Sequence, residues 1–502
     1  MSLKANLAAN YASQIYTAFI GIVMMPLYLS TMGSEAYGLV GFFAMLQAWF
    51  NLLDLGLTPT IARESARYHG RALPALDYRR VYRALSTIFL VVALVGGTVL
   101  FLLGEVLAER WLKLERMAPG TVVLALQTMA VAVALRWLGG LYRGVISGAE
   151  RLVWLGGFNA LVATLRFVAV FGSMAVWGYE PAVFFWHQLA VAALELAILW
   201  WRSQPLLPSP HQLPGAVGWS LAPVRPLVTF ALGIALTSSV WVLVTQSDKL
   251  LLSGILPLAE FGYFSLAVLV AGGITLLTGP ISSSVMPRMA RLYAEQQPAA
   301  VRQVYGQATQ LVAIVVGTAA STLAWCAGPL MFAWTGSGDI ASRTEQVLRL
   351  YAIGNGLLAL SAFPFYLQYA RGTLRHHIIG NCAMGAVLIP SVLAAATLHG
   401  AVGAGVAWLA VNSLYLLTWV PYSHARLEPG LHARWLRHDV LPAVLLVQAV
   451  ALALHLMSPD TFAERWSAGF YTIGFALSCA AAAVLGSSEG RRMLARAAGR
   501  SA

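Results

Sequence analysis

The sequence predicts an all-α polytopic membrane protein with about fourteen transmembrane helices. Three observations carry that expectation. The mean hydropathy is +0.72, with 59% hydrophobic and only 10% charged residues, where soluble domains carry about 25% charged. Apolar runs near the ~20 residues that span a bilayer recur along the whole chain. Lys and Arg are divided unevenly between the connections, as the positive-inside rule requires.

The runs fall at about 7–30, 38–60, 84–104, 120–146, 154–177, 181–201, 227–255, 261–284, 304–327, 345–368, 377–398, 401–422, 440–457 and 467–486. The first is the least hydrophobic. Its sequence, MSLKANLAANYASQIYTAFIGIVMMPLYL, lacks a basic leader with a compact apolar core and a small-residue cleavage site, so it reads as a retained first span. Placing the N-terminus in the cytoplasm puts 23 of the 32 Lys and Arg on the cytoplasmic side and 6 on the other, with 3 inside spans. That split accounts for most of the +12 charge without an anionic partner such as nucleic acid, and it places both termini in the cytoplasm. The three cysteines lie far apart in apolar segments and show neither disulfide nor metal spacing.

No connection is long enough for a folded soluble domain. The longest, PLLPSPHQLPGAVGWSLAPVRP, is proline-rich and reads as a connector between two halves. An internal repeat agrees with that division: residues 28–68 lie over 252–292 at a shift of 224, aligning Tyr37-Gly38 with Phe261-Gly262 and Ala66-Arg67 with Ala290-Arg291. A second echo aligns Arg143-Gly144 with Arg371-Gly372. The expected organisation is a six-helix lobe at 1–203, a connector at 204–226, a second six-helix lobe at 227–425, and two further spans with a basic tail at 426–502. Six spans per half make the repeats parallel.

PLYLSTMGSEAYGL followed by LLDLGLTPTIARESARY, SDKLLLSGILPLAEFGYFSLA at the seventh span, and RGVISGAER after the fourth resemble the polysaccharide-repeat-unit flippases (Wzx-type) of the MOP superfamily. That superfamily also holds the lipid II flippases and the MATE drug exporters. The resemblance implies two six-helix lobes forming a MATE-like V around a cavity, and transfer of undecaprenyl-diphosphate-linked oligosaccharide from the cytoplasmic to the periplasmic leaflet of a bacterial inner membrane by alternating access. The partners it implies are that substrate, membrane lipids and other polysaccharide-assembly proteins.

Charged residues within spans are costly unless they face protein or water. Arg136 and Arg166 lie at middle depth in the fourth and fifth spans, Arg143 lies one heptad beyond Arg136 near the cytoplasmic surface, and Lys249 lies in the outer part of the seventh. These four are the candidate cationic stations for a diphosphate, which a guanidinium binds through paired donors. The alternative is structural: Arg136 and Arg166 pair with Asp54 or Glu195 and hold the first lobe together. Asp54, Asp248 and Glu195 are the acids available for a gate or for coupling to Na⁺ or H⁺. Asn6, Asn10, Ser13 and Thr17, with Gln14 beside them, give the first span a polar stripe, a candidate cavity lining or interhelical seam, and Trp241 is a candidate sugar-stacking residue in the seventh span, on the same face as Asp248. Trp111 and Trp200-Trp201 read as interfacial anchors. His187 reads as an interhelical hydrogen-bond donor, while His376, His377, His424, His432 and His438 read as solvated loop residues.

No GxxxxGK[ST] motif is present, so no ATP site is expected, and no cofactor or metal is implied. A membrane-embedded polymerase or glycosyltransferase would need a larger extramembrane loop for its carboxylates. An exporter of cationic drugs would need an acidic cavity, which Arg136, Arg166 and Lys249 argue against.

Overall fold

The first long apolar segment after the N-terminal helix breaks where its sequence leaves helical backbone. The computed structural model describes residues 3–209, 213–459, 461–497 and 499, with side chains from Tyr11 onward apart from those of Thr237 and Ala497. Helix α1 covers Leu3–Met32 and α2 Ser34–Phe50; a tight turn at Asn51–Asp54 and left-handed Leu55 (φ 45°) and Gly56 (φ 75°) then separate α2 from α3, Leu57–His69. The 38–60 run is therefore two helices with a corner, because Leu55 and Gly56 cannot continue a right-handed helix. Asp54 secures the corner, accepting from the Thr58 backbone N–H at 3.1 Å and from its hydroxyl at 2.5 Å.

Beyond it come α4 (Ala75–Val106), α5 (Pro119–Gly148), α6 (Leu152–Thr164), α7 (Val170–Trp177), α8 (Pro181–Ser203) and α9 (Val228–Ile255). Proline opens α5 and α8, where its missing N–H costs nothing. α5 is the central helix, packing against α3, α4 and α8. Gly140, Gly144 and Gly148 give it a stripe of small residues at four-residue spacing: a Cβ on Gly148 would meet Ser65 Cβ at 2.6 Å, and one on Gly144 would meet the Thr58 carbonyl at 2.9 Å.

Residues Met1–Gly262 form one compact unit and Tyr263–Ala502 a second. α9 belongs to the first because its packing partners are there. The Arg63 guanidinium lies over Phe230 at 4.5 Å, and Trp111 Nε1 donates to Ser253 Oγ at 2.9 Å. Trp111 is thus an interhelical contact rather than only an interfacial anchor.

α10 (Leu258–Ala294) leads into the second unit, which contains α11 (Pro298–Trp325), α12 (Ala327–Thr335), α13 (Gly338–Ser361), α14 (Phe363–Ala370), α15 (Arg375–Leu414), α16 (Val420–Leu427), α17 (Leu431–Arg434), α18 (Leu441–Leu456), α19 (Arg465–Gly486) and α20 (Ser488–Ala497). Among the described residues, thirteen helical segments are long and apolar enough to cross a membrane. One of them, Arg375–Leu427, has 53 residues and kinks at His399 and Gly400, so it provides the separate runs expected at 377–398 and 401–422. His424 is not a solvated loop residue: it is fully buried, with Tyr305 Oη 2.6 Å from Nε2 and His432 Nδ1 3.0 Å from Nδ1. The helices α16 and α17 bring these groups together where the sequence reads as a loop.

Candidate functional site

A cavity of about 500 Å³ opens inside the first unit, lined by the α2–α3 corner, α5, α8 and α9. Gln47, Asn51 and Asp54 come from α2 and its corner, Arg136 and Arg143 from α5, Glu195 from α8, and Ile234, Ser238 and Val242 from α9. Arg136 donates to Gln47 Oε1 at 2.9 Å and to Gln188 Oε1 at 3.1 Å. Arg166 uses the same two oxygens at 3.4 and 3.5 Å, with its guanidinium over the Phe167 ring. Arg143 donates to Asn159 Oδ1 and to Glu195 Oε1, and Glu195 Oε2 stands 3.8 Å from Arg136 Nε.

Four helical segments build this network by one rule. Each contributes two polar residues seven apart: Gln47 and Asp54, Arg136 and Arg143, Asn159 and Arg166, Gln188 and Glu195. Seven residues are two turns, so on the unbroken helices α5 and α8 both members share a face, with their backbone positions about 10.5 Å apart along the axis. The hydrogen bonds divide accordingly. Gln47, Arg136, Arg166 and Gln188 form one layer, and Arg143, Asn159 and Glu195 form the other. The Asp54 carboxylate, at the end of its face, is spent on Thr58.

The helix carrying Arg166 widens into a π-helical turn at Leu165–Ala169, which frees carbonyls from the regular ladder. Side chains take three of them. His187 Nε2 donates to Leu165 O at 2.9 Å, Gln188 Nε2 to Arg166 O at 2.9 Å, and Tyr28 Oη to Phe167 O at 2.6 Å. Within a bilayer such a turn persists only where neighbouring helices satisfy it. His187 is thus the interhelical donor its position suggested.

Of the residues singled out from sequence, Arg136, Arg143, Arg166 and Glu195 converge; Arg143 is held inside the cluster, with 28% of its side chain exposed, rather than lying free at a surface. Arg136 and Arg143 line the cavity and Arg166 lies behind them. Lys249 stands apart from this cavity, donating to Gln246 Oε1 at 2.9 Å on its own helix. Asp248 is buried, and its carboxylate accepts the Lys249 backbone N–H at 2.7 Å. Trp241 is 45% exposed and lies outside the cavity lining, which α9 supplies through Ile234, Ser238 and Val242. Gln14 is exposed, and the side chains of Asn6 and Asn10 lie outside the described residues. Sequence reasoning missed Gln47, Asn159 and Gln188. The seven-residue spacing to a charged residue in three different spans was the signal that could have found them.

The cluster holds three guanidinium groups against two carboxylates, one of them committed to a helix corner. It contains the donors that recognise an anion. The buried polar network and the fully helical scaffold are together those of a multi-pass α-helical membrane protein. The chain belongs to the polysaccharide biosynthesis protein family, whose sequence profile matches residues 3–293. It is 19% identical over 427 residues to a Shigella flexneri protein named as an O-antigen transporter, covering 84% of this chain and 98% of that one. In fold it is similar to the lipid II flippase MurJ in an inward closed conformation, with a TM-score of 0.74 at 12% identity over 97% of this chain and 99% of the other. It is also similar to an inward-facing MATE multidrug transporter, with a TM-score of 0.68 at 12% identity over 85% and 98%. The fold is that of these MOP-superfamily structures, and the described residues include thirteen helical segments long and apolar enough to cross a membrane.

Proposed function

We propose that this protein flips a lipid-diphosphate-linked oligosaccharide, carried on undecaprenol, from the cytoplasmic to the periplasmic leaflet for assembly of a surface polysaccharide such as O-antigen. The observation that carries the reading is the cavity pair Arg136 and Arg143, held by amide oxygens and a single shared carboxylate. A diphosphate bound there completes charges the protein leaves partly neutralised. Family membership and the S. flexneri relative supply the sugar-lipid class. The two six-helix lobes related by the 224-residue repeat would alternate access to the two leaflets, with both termini cytoplasmic as the Lys and Arg distribution predicts.

Such a site needs to bind moderately, because a deep trap would not release its cargo across the membrane; several stations at different depths serve transport better. Arg136 and Arg143, on either side of the Glu195 carboxylate, provide two such stations. A cationic drug is disfavoured as cargo, since Arg136 and Arg143 would repel it. The test is deletion of the gene with fractionation of lipid-linked intermediates. Repeat units on lipid diphosphate should accumulate on the cytoplasmic leaflet, and Arg136→Ala should restore insertion but little polysaccharide. Accumulation of unpolymerised units on the periplasmic side would refute flipping in favour of a polymerase.

A further inference from the structure

We propose that Glu195 is an exchangeable counter-ion, a carboxylate tethered in the cavity that passes between Arg143 and Arg136 and frees whichever guanidinium the substrate diphosphate takes. The inference rests on the anion-binding reading of this cavity and adds the device that keeps binding reversible.

Glu195 has 7% of its side chain exposed and Arg136 10%. One carboxylate oxygen is bonded to Arg143, while the other, Oε2, lies 3.8 Å from Arg136 Nε. Both Oε2 and that Nε are buried and make no hydrogen bond among the described residues. The carboxylate therefore has one engaged partner and a second in reach with a bond still unmade. A modest rotation of the Glu195 side chain would close the Arg136 contact while opening the one to Arg143.

The consequences follow from what an unpaired charge costs. Removing one partner of a buried ion pair is strongly unfavourable, because it strands the other charge. If a diphosphate simply displaced Glu195 from Arg143, the carboxylate would be stranded. Here it has Arg136 as its alternative. As the anion moves to the Arg136 layer, Glu195 can return to Arg143. No group is bare at either stage, so the barrier between stations stays low. Asp54 cannot act in this way, since Thr58 holds it through backbone and hydroxyl. The tethered carboxylate also competes with the ligand at high effective concentration, lowering affinity for any anion.

The probe is inorganic pyrophosphate, titrated against the full-length protein in nanodiscs, with polysaccharide complementation measured in parallel. Glu195→Gln keeps the side-chain shape and an acceptor for Arg143 but removes the competing charge. It should bind pyrophosphate about tenfold more tightly, ~1.4 kcal/mol, while supporting less polysaccharide. Glu195→Asp, shorter by one methylene, should tighten binding by a smaller factor, and it serves if the Gln variant does not fold. Equal or weaker binding by the folded variants, with wild-type binding abolished in Arg143→Ala, overturns the counter-ion role and leaves the anion cavity standing. Absence of pyrophosphate binding in the wild type overturns both.

Discussion

Gln188→Leu tests whether the cluster is built as described. Gln188 has 2% exposure. Its oxygen accepts from Arg136 at 3.1 Å and Arg166 at 3.5 Å, and its nitrogen donates to the Arg166 carbonyl at 2.9 Å. Leucine fills nearly the same volume, so packing is retained while all three bonds vanish. A hydrogen bond to a charged group contributes about 1.5 to 3 kcal/mol and a neutral one about 1. The Arg166 contact is long and counts little. The sum is roughly 2 to 4 kcal/mol, and for a unit this large each kcal/mol moves the midpoint by about 2 to 4 °C. Thermal unfolding of the purified protein, followed by the monodisperse fraction after heating, should show a drop of roughly 5 to 15 °C. Gln14→Leu, on an exposed site of α1, should leave the midpoint unmoved. A Gln188→Leu midpoint within about 1 °C of wild type would show that the amide does not hold the arginines, and the layered description would fail.

Three further substitutions probe other parts of the molecule. Glu35 is buried and accepts the backbone N–H groups of Glu115, Arg116 and Met117 at 2.8, 3.0 and 3.1 Å, so Glu35→Gln should cost about 2 kcal/mol and speed hydrogen exchange at those three amides. Gly148→Leu should abolish accumulation of folded protein because its Cβ would lie 2.6 Å from Ser65 Cβ, while Gly157→Leu, with open space around it, should be tolerated; the yield of monodisperse protein decides. Gln310 Oε1 accepts from Ser487, Ser488 and the Glu489 backbone at 2.8, 3.0 and 2.9 Å. Gln310→Ala should therefore loosen α20 and accelerate tryptic cleavage at Arg491 and Arg492, read by mass spectrometry.

Membrane class and span positions were legible because lipid imposes a coarse, repeated demand: a run of about 20 apolar residues with every backbone group bonded within it. Departures from that rule were less visible. The α2–α3 corner depends on two left-handed residues, Leu55 and Gly56, and only the glycine advertises the conformation. The π turn at Leu165–Ala169 depends on Tyr28, His187 and Gln188, which lie 139, 22 and 22 residues from the carbonyls they bond. Arginines stand out in a span by their charge, whereas glutamines and asparagine at matching depth do not. His424 was misread for the converse reason. Its sequence neighbours Arg426 and Glu428 look solvated, yet Tyr305 from a distant helix closes over its ring.

The layered cluster resolves a tension between stability and transport. Three buried guanidinium groups bonded to well-matched carboxylates would make a rigid lobe with no reason to meet an anion, and three bare ones would be too costly to place in a membrane. This chain takes an intermediate course: neutral amides hold Arg136 and Arg166, and one shared carboxylate serves Arg143 while approaching Arg136. Amide oxygens satisfy the donors' geometry without cancelling their charge. The positive field therefore survives in the cavity at the cost of weaker bonding, and the partner that does cancel charge sits where it can move. Lys249 stands outside that network, which holds α2, α5, α6 and α8 together, and donates instead to Gln246 on its own helix.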